Sequence, residues 1–189
     1  MDNKNSYIKT EVINYETEYI YDASLPSTHE KVITEGKDGI LSLTDGKIIE
    51  EAVSKVIEIG TGKKGIYEGM LTGYGPDCKG CSELGYVYCA TKEKTYHSLV
   101  NDGIYYNDHE YGEVRILAAD HREFPCGTII EITNSDREKE IGVVLDTGSG
   151  MRNAYSQGWI LIDLAFEKEA LALSTTNKNT HFEVKRWGW

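Results

Sequence analysis

Nowhere in its 189 residues does the chain hold an apolar run near the roughly twenty residues that a helix needs to span a bilayer. Positive charge is also scarce: 20 Lys/Arg stand against 31 Asp/Glu, a net charge of −11. The deficit is spread out, with six basic against twelve acidic residues in 1–62 and fourteen against nineteen in the remainder, so no basic patch is concealed. A polyanion is repelled by such a surface, so nucleic acid is not expected as a partner, and neither attraction to an anionic membrane nor membrane insertion is expected. The opening Met1-Asp2-Asn3-Lys4-Asn5 lacks the apolar stretch of a secretory signal. An extracellular substrate would therefore have to be reached by another route, such as carriage on a larger particle.

Cysteines number four, Cys78, Cys81, Cys89 and Cys126, all in the back part of the chain. Cys78-x-x-Cys81 has the spacing of half a zinc site, but Cys89 and Cys126 do not form a second close pair. Disulfides of an extracellular protein, buried reduced thiols and a zinc site all stay open.

What is present is mostly β pattern. Residues 11–21 are dense in β-branched and aromatic side chains, and 29–34, 39–44 and 47–59 follow as further strand candidates, separated by Pro26, by Gly36 and Gly39, and by the Asp45-Gly46 turn. Gly60-Thr61-Gly62-Lys63-Lys64-Gly65 has linker composition and marks a boundary between domains at 1–62 and 67–189. Beyond it, short apolar strands are expected at 114–118, 128–132, 141–145, 160–164 and 182–184, with a short helix over 167–173. Many short strands with one or two helices predict a mainly β protein whose back part closes into a barrel. Residues 93–111, polar and without periodicity, read as a long surface excursion.

Three aspartates carry the chemistry. Asp120 follows the apolar 116–119, Asp146 ends 142–145 and opens Asp-Thr-Gly-Ser-Gly, and Asp163 lies inside Ile160-Leu161-Ile162-Asp163-Leu164-Ala165-Phe166. A carboxylate in an apolar segment is costly to ionise, so the pKa of Asp163 is expected to rise into the range a general acid needs. Any one of these aspartates alone reads as a turn or cap residue; three at strand ends in one small barrel read as a site. The Asp-Thr-Gly triplet also resembles an aspartic protease, but it occurs once, and a symmetric dimer would be needed for the dyad. His121 reads as a surface residue. His97 and His109, near Asp108 and Glu110, match no metal-ligand spacing, and neither metal nor cofactor is expected.

The front part, through Glu35-Gly36-x-x-Gly39, Asp45-Gly46 and the Gly60-x-Gly62 exit, resembles the G-five (G5) domain. That resemblance implies a spacer or wall-binding role. The string Ala118-Ala119-Asp120, Phe124-Pro125-Cys126-Gly127-Thr128, then Asp146-Thr147-Gly148-Ser149-Gly150, then Ile162-Asp163, resembles the three-aspartate (3D) domain. That family shares a six-stranded double-psi β-barrel with the membrane-bound lytic transglycosylase A of bacteria. The closing Arg186-Trp187-Gly188-Trp189 is similar to the ends of phage tail and baseplate proteins, which implies a virion-tail setting and tail or baseplate partners; the tryptophans themselves read as a plug at a strand end.

The 3D resemblance implies a lytic transglycosylase acting on peptidoglycan outside the cell. It would cleave the β-1,4 bond from N-acetylmuramic acid to N-acetylglucosamine and leave a 1,6-anhydro product. Asp163 would be the acid/base, with Asp146 and Asp120 setting its environment. Substrate contacts are expected from Tyr74, which matches the family's opening strand, from Thr147, and from Arg152, Tyr155 and Trp159 in a connection longer than the family's. Hydrolysis by a muramidase, and a non-catalytic wall-binding or structural tail module, are the alternative readings.

Overall fold

The computed structural model describes residues 9–81, 84–134 and 137–189, apart from the side chain of Arg137; Met1 to Asn5, read above for a signal, lie outside the described residues. Two compact units are present: residues 1–23 with 27–61, and 24–26 with 62–189. Ser24–Pro26 thus belong with the back unit, where Leu25 is buried and the Ser24 carbonyl accepts the Trp187 N–H at 2.7 Å.

The front unit contains β1 (Thr10–Ile13), β2 (Thr17–Asp22), β3 (Glu30–Thr34), β4 (Gly39–Ser42), β5 (Ile48–Glu50) and β6 (Lys55–Gly60). They form two three-stranded sheets, β1-β4-β5 and β2-β6-β3, the second joining a parallel pair to an antiparallel one. The strand expected over 11–21 is broken in two. At the break, the Tyr15 N–H leaves the ladder to donate to Asp38 Oδ1 at 3.0 Å. The strand expected over 47–59 likewise splits into β5 and β6. Gly36 and Gly39 serve close approach: a Cβ on Gly36 would lie 2.4 Å from the Tyr15 ring, and one on Gly39 would lie 2.6 Å from the backbone of Glu50 and Ala52. No large apolar side chain is buried among the described residues of this unit, so its hydrogen-bonded ladders carry it more than a core does.

The back unit contains β7 (Ile66–Tyr74), β8 (Tyr86–Ala90), β9 (Tyr96–Ser98), β10 (Tyr105–Asp108), β11 (Gly112–Ala118), β12 (Ile129–Asn134), β13 (Arg137–Asp146), α1 (Ser149–Ser156), β14 (Ile160–Ala165), α2 (Glu169–Ala172) and β15 (Asn177–Arg186). Among the described residues six strands close into a barrel in the order β11-β13-β12-β15-β7-β14 and back to β11. The β11–β13 and β14–β7 pairs are parallel and the rest antiparallel. Alternation along the strands divides the apolar residues between two cores. Leu71, Leu117, Ile130, Val144, Ile162 and Phe182, one from each barrel strand, belong to the inner core. Their neighbours Ile116, Ile129, Val143 and Leu145 face outward and meet Val87, Cys89 and Leu99.

This outer core explains the excursion at 93–111. It is not irregular: β9 pairs with β8, β10 pairs with β11, and both pairs lie over the outer core. Asp108, whose side chain is wholly buried, binds Arg186 through two contacts of 2.6 and 3.1 Å, and Glu110 adds a third at 3.1 Å. Burial alone would raise the Asp108 pKa, but the Arg186 guanidinium and the N–H groups of Glu110 and Tyr111 hold it at about 2. The tryptophan plug is present: Trp187 stacks on Phe124 with ring centres 6.3 Å apart, and Trp189 lies against Gly127. Helix is both gained and lost relative to expectation. Residues 149–156 of the connection form α1, whereas α2 is a single turn.

All three tryptophans lie in the back unit, so their fluorescence follows its unfolding alone. Arg186→Leu, which strands the buried Asp108 carboxylate, is expected to destabilise that unit by about 3–5 kcal/mol in urea titrations. Adding Asp108→Leu should recover most of the loss.

Candidate active site

Ala118, the last residue of β11, pairs with Asp146 on β13 and with Asp163 on β14, and Asp163 in turn pairs with Thr72 on β7. Four adjacent strands therefore bring Asp146, Ala118, Asp163 and Thr72 to one level. The main chains of the two aspartates are about 10 Å apart, two strand spacings. Asp163 alternates with the inner-core residues Ile162 and Leu164, so its carboxyl leaves the barrel's outer face partly exposed rather than entering the core. The Thr72 hydroxyl donates to Asp163 Oδ1. Burial first, then the nearby charges of Glu169 and Asp146, raise the Asp163 pKa to about 6.

Asp146 accepts the N–H of Thr147 at 2.9 Å and of Tyr88 at 3.1 Å on a single oxygen, Oδ1. Burial raises its pKa, and these N–H groups partly offset the rise. Tyr74, two residues beyond Thr72, feels both carboxylates. Burial and then Asp146 push its hydroxyl well above the ordinary tyrosine range. That hydroxyl is closed off from solvent near Asp146, whose ionised form it favours.

Asp120 has a different environment. It is buried and clasped by Arg122, whose Nε and Nη2 approach its two oxygens at 2.8 and 2.6 Å. Those hydrogen bonds hold its pKa below the usual carboxylate value. Arg122 continues to the Arg152 carbonyl at 3.0 Å and covers the Tyr155 ring at 4.5 Å. Asp120 thus anchors the turn before β12 to α1 and stays ionised.

Two clefts flank this cluster. One, of about 430 Å³, is lined by Tyr74, Tyr86, Asp146, Thr147, Arg152 and the Cys78–Cys81 loop. The other, of about 600 Å³, is lined by Tyr88, Asp120, His121, Arg122, Thr147 and Arg152. Thr147 and Arg152 line both, so the clefts meet beside Asp146. Of the expected contacts, Tyr74, Thr147 and Arg152 are cleft residues. Tyr155 and Trp159 line neither: Tyr155 supports Arg122, and Trp159 is 39% exposed rather than packed in the core. Asp163 also lines neither cleft, and its link to them runs through Asp146 and Tyr74.

Several residues were missed in the sequence. His121, expected on the surface, approaches the Asp146 carbonyl at 3.0 Å through Nε2 and lies beside the Tyr88 ring. Glu169, Thr72, Tyr86 and Tyr88 gave no motif; only the alternation of β8 could have shown that its two tyrosines share a face. All four cysteines are in disulfides, Cys78–Cys81 and Cys89–Cys126, which leaves no thiolate for the zinc or reduced readings. Cys89 and Cys126 do lie with His121 in a group of metal-ligand type, but their sulfurs are bonded to each other.

In comparison with protein families, the G5 domain matches residues 5–62, and the six-stranded mixed β-barrel follows it in the chain. No curated protein and no solved structure matches the chain. The disulfides and the G5 domain together point to an extracellular or cell-surface protein. No described helix is long and apolar enough to cross a membrane.

Because the fold favours protonated Asp163, its contribution to stability is full below the unfolded carboxyl value of 3.8 and is lost as pH rises toward about 6. Asp163→Asn is therefore expected to stabilise the back unit at pH 7.5, by up to about 3 kcal/mol, and to leave stability nearly unchanged at pH 3.5. Urea titrations at the two pH values, followed by tryptophan fluorescence, make the comparison.

Proposed function

We propose that the barrel cleaves the glycan strands of peptidoglycan as a lytic transglycosylase, with Asp163 as its acid/base. The observation that carries this reading is the Asp163 carboxyl itself, partly exposed, held at about pKa 6, and coupled to Asp146, which lines the smaller cleft. Such a group is half protonated near pH 6 and can both give and take a proton. The ordered trio of aspartates that resembles the 3D domain supports the substrate class, and the G5 domain supports a cell-wall setting. The closed six-strand order with two parallel pairs is compatible with the double-psi barrel of that family.

In this reading protonated Asp163 donates its proton to the glycosidic oxygen between N-acetylmuramic acid and N-acetylglucosamine. As that C–O bond breaks, positive charge spreads over the muramyl C1 and ring oxygen. Asp146, which lines the cleft and accepts two N–H groups that favour its ionised form, stabilises this charge. Ionised Asp163 then removes the proton of the muramyl C6 hydroxyl as its oxygen bonds to C1. The product is a 1,6-anhydro ring, and Asp163 ends protonated as it began. Intramolecular attack needs no carboxylate dedicated to holding water. Thr72 fixes one Asp163 oxygen and leaves the other for the proton. Carriage on a phage-like tail rests on the resemblance of the closing residues alone; here Trp187 and Trp189 have a packing role.

Digestion of purified sacculi, with the products resolved by mass, tests the proposal. Muropeptides with 1,6-anhydro ends are expected; reducing muramyl ends would make the protein a muramidase, and intact sacculi that retain the protein would make it a binding module. Asp163→Asn should lower the rate by at least about a hundredfold. The rate of the wild-type protein should fall as pH rises above about 6, where the acid is lost.

A further inference from the structure

β8 alternates between two environments. Val87 and Cys89 are buried in the outer core, while Tyr86 and Tyr88 are 51% and 68% exposed on the opposite face. Their main-chain positions are about 7 Å apart, two strand residues. Tyr86 lines the smaller cleft and Tyr88 the larger, so one tyrosine stands on each side of the junction at Asp146.

The strand that carries them is tied to the site at three points. The Cys89–Cys126 disulfide joins it to the turn before β12, Val87 and Cys89 pack into the outer core, and the Tyr88 N–H donates to Asp146 Oδ1 at 3.1 Å. The Tyr88 ring lies against His121, ring centres 5.3 Å apart, and His121 approaches the Asp146 carbonyl. Both rings keep part of their surface exposed beside the clefts, where the apolar face of a sugar can pack on them. The polar rim of Thr147, Arg122 and Arg152 suits an occupant with hydroxyl and amide edges. A net charge of −11 weighs against stacked nucleobases on a polyanionic strand.

We propose that Tyr86 and Tyr88 are the substrate-positioning platform of the cleft, each covering the apolar face of one sugar in a strand of N-acetylated amino sugars laid across Asp146. This rests on the glycan-cleavage reading above, which names neither tyrosine. The two rings would hold successive sugars on either side of the junction and so set which bond reaches the acid. They act by binding and take no part in proton transfer.

Peptide-free glycan strands prepared from purified sacculi are the probe. Tyr86→Ala and Tyr88→Ala should each raise KM about five- to tenfold, as expected from an aromatic face contact of about 1 kcal/mol, with kcat within about threefold of wild type. Tyr→Phe at either position, which keeps the ring face, should stay within about twofold. Wild-type KM in the double alanine variant, a loss confined to kcat, or equal losses with Phe and Ala would each overturn the platform. Calorimetric binding in the Asp163→Asn background separates the two proposals. Binding that needs the tyrosines, with no cleavage by wild type, sustains the platform and sinks the catalytic reading. Cleavage indifferent to the tyrosines does the reverse, and no binding at all sinks both.

Discussion

Closure of the barrel at Ala118 is the constraint on which the rest depends. One small residue at the end of β11 pairs with Asp146 on one flank and Asp163 on the other, and the second pairing joins β11 to β14 to complete the ring. Two aspartates separated by a helix and a loop in sequence are thereby fixed at one level. Closure leaves every barrel strand a partner on both sides, so neither carboxylate can move away without breaking ladder hydrogen bonds.

The inner and outer cores give that closure a second consequence. The inner core packs the barrel and holds β14 in register, which directs Asp163 outward between Ile162 and Leu164. The outer core holds β8 against β13, which supplies the Tyr88 N–H to Asp146 and turns two tyrosines toward solvent. Charges are then sorted by their partners. Asp108 and Asp120 each meet an arginine and are held ionised, whereas Asp163 meets burial, a hydroxyl and two like charges. Asp120 and Asp163 were both visible in the sequence as aspartates beside apolar strands; the difference between them comes from what the fold puts opposite each.

Legibility varied with the range of the physics involved. Barrel strands were readable because Val143-Val144-Leu145 or Ile160-Leu161-Ile162 favour extended chain locally. The break at Tyr15 was not, since it depends on Asp38, 23 residues away. α1 was obscured because Gly148-Ser149-Gly150 looks like a turn and its Arg152 and Tyr155, with Trp159 just beyond, looked like cleft residues. The excursion at 93–111 seemed irregular because its order comes from β8, β11 and a core that no short window contains.

By itself the sequence determined a mainly β chain, a division near the Gly60–Gly65 linker, a G5-like front and three candidate aspartates, because alternation, glycine spacing and apolar flanks are local properties. Tertiary structure alone decided which carboxyls share an environment. It set Asp120 apart with Arg122, joined Asp146 to Asp163 across Ala118, paired the cysteines, and brought Tyr86, Tyr88, His121 and Glu169 to the site. A pKa is set by burial and by charges within a few ångströms, and those neighbours come from strands that meet only when the barrel closes.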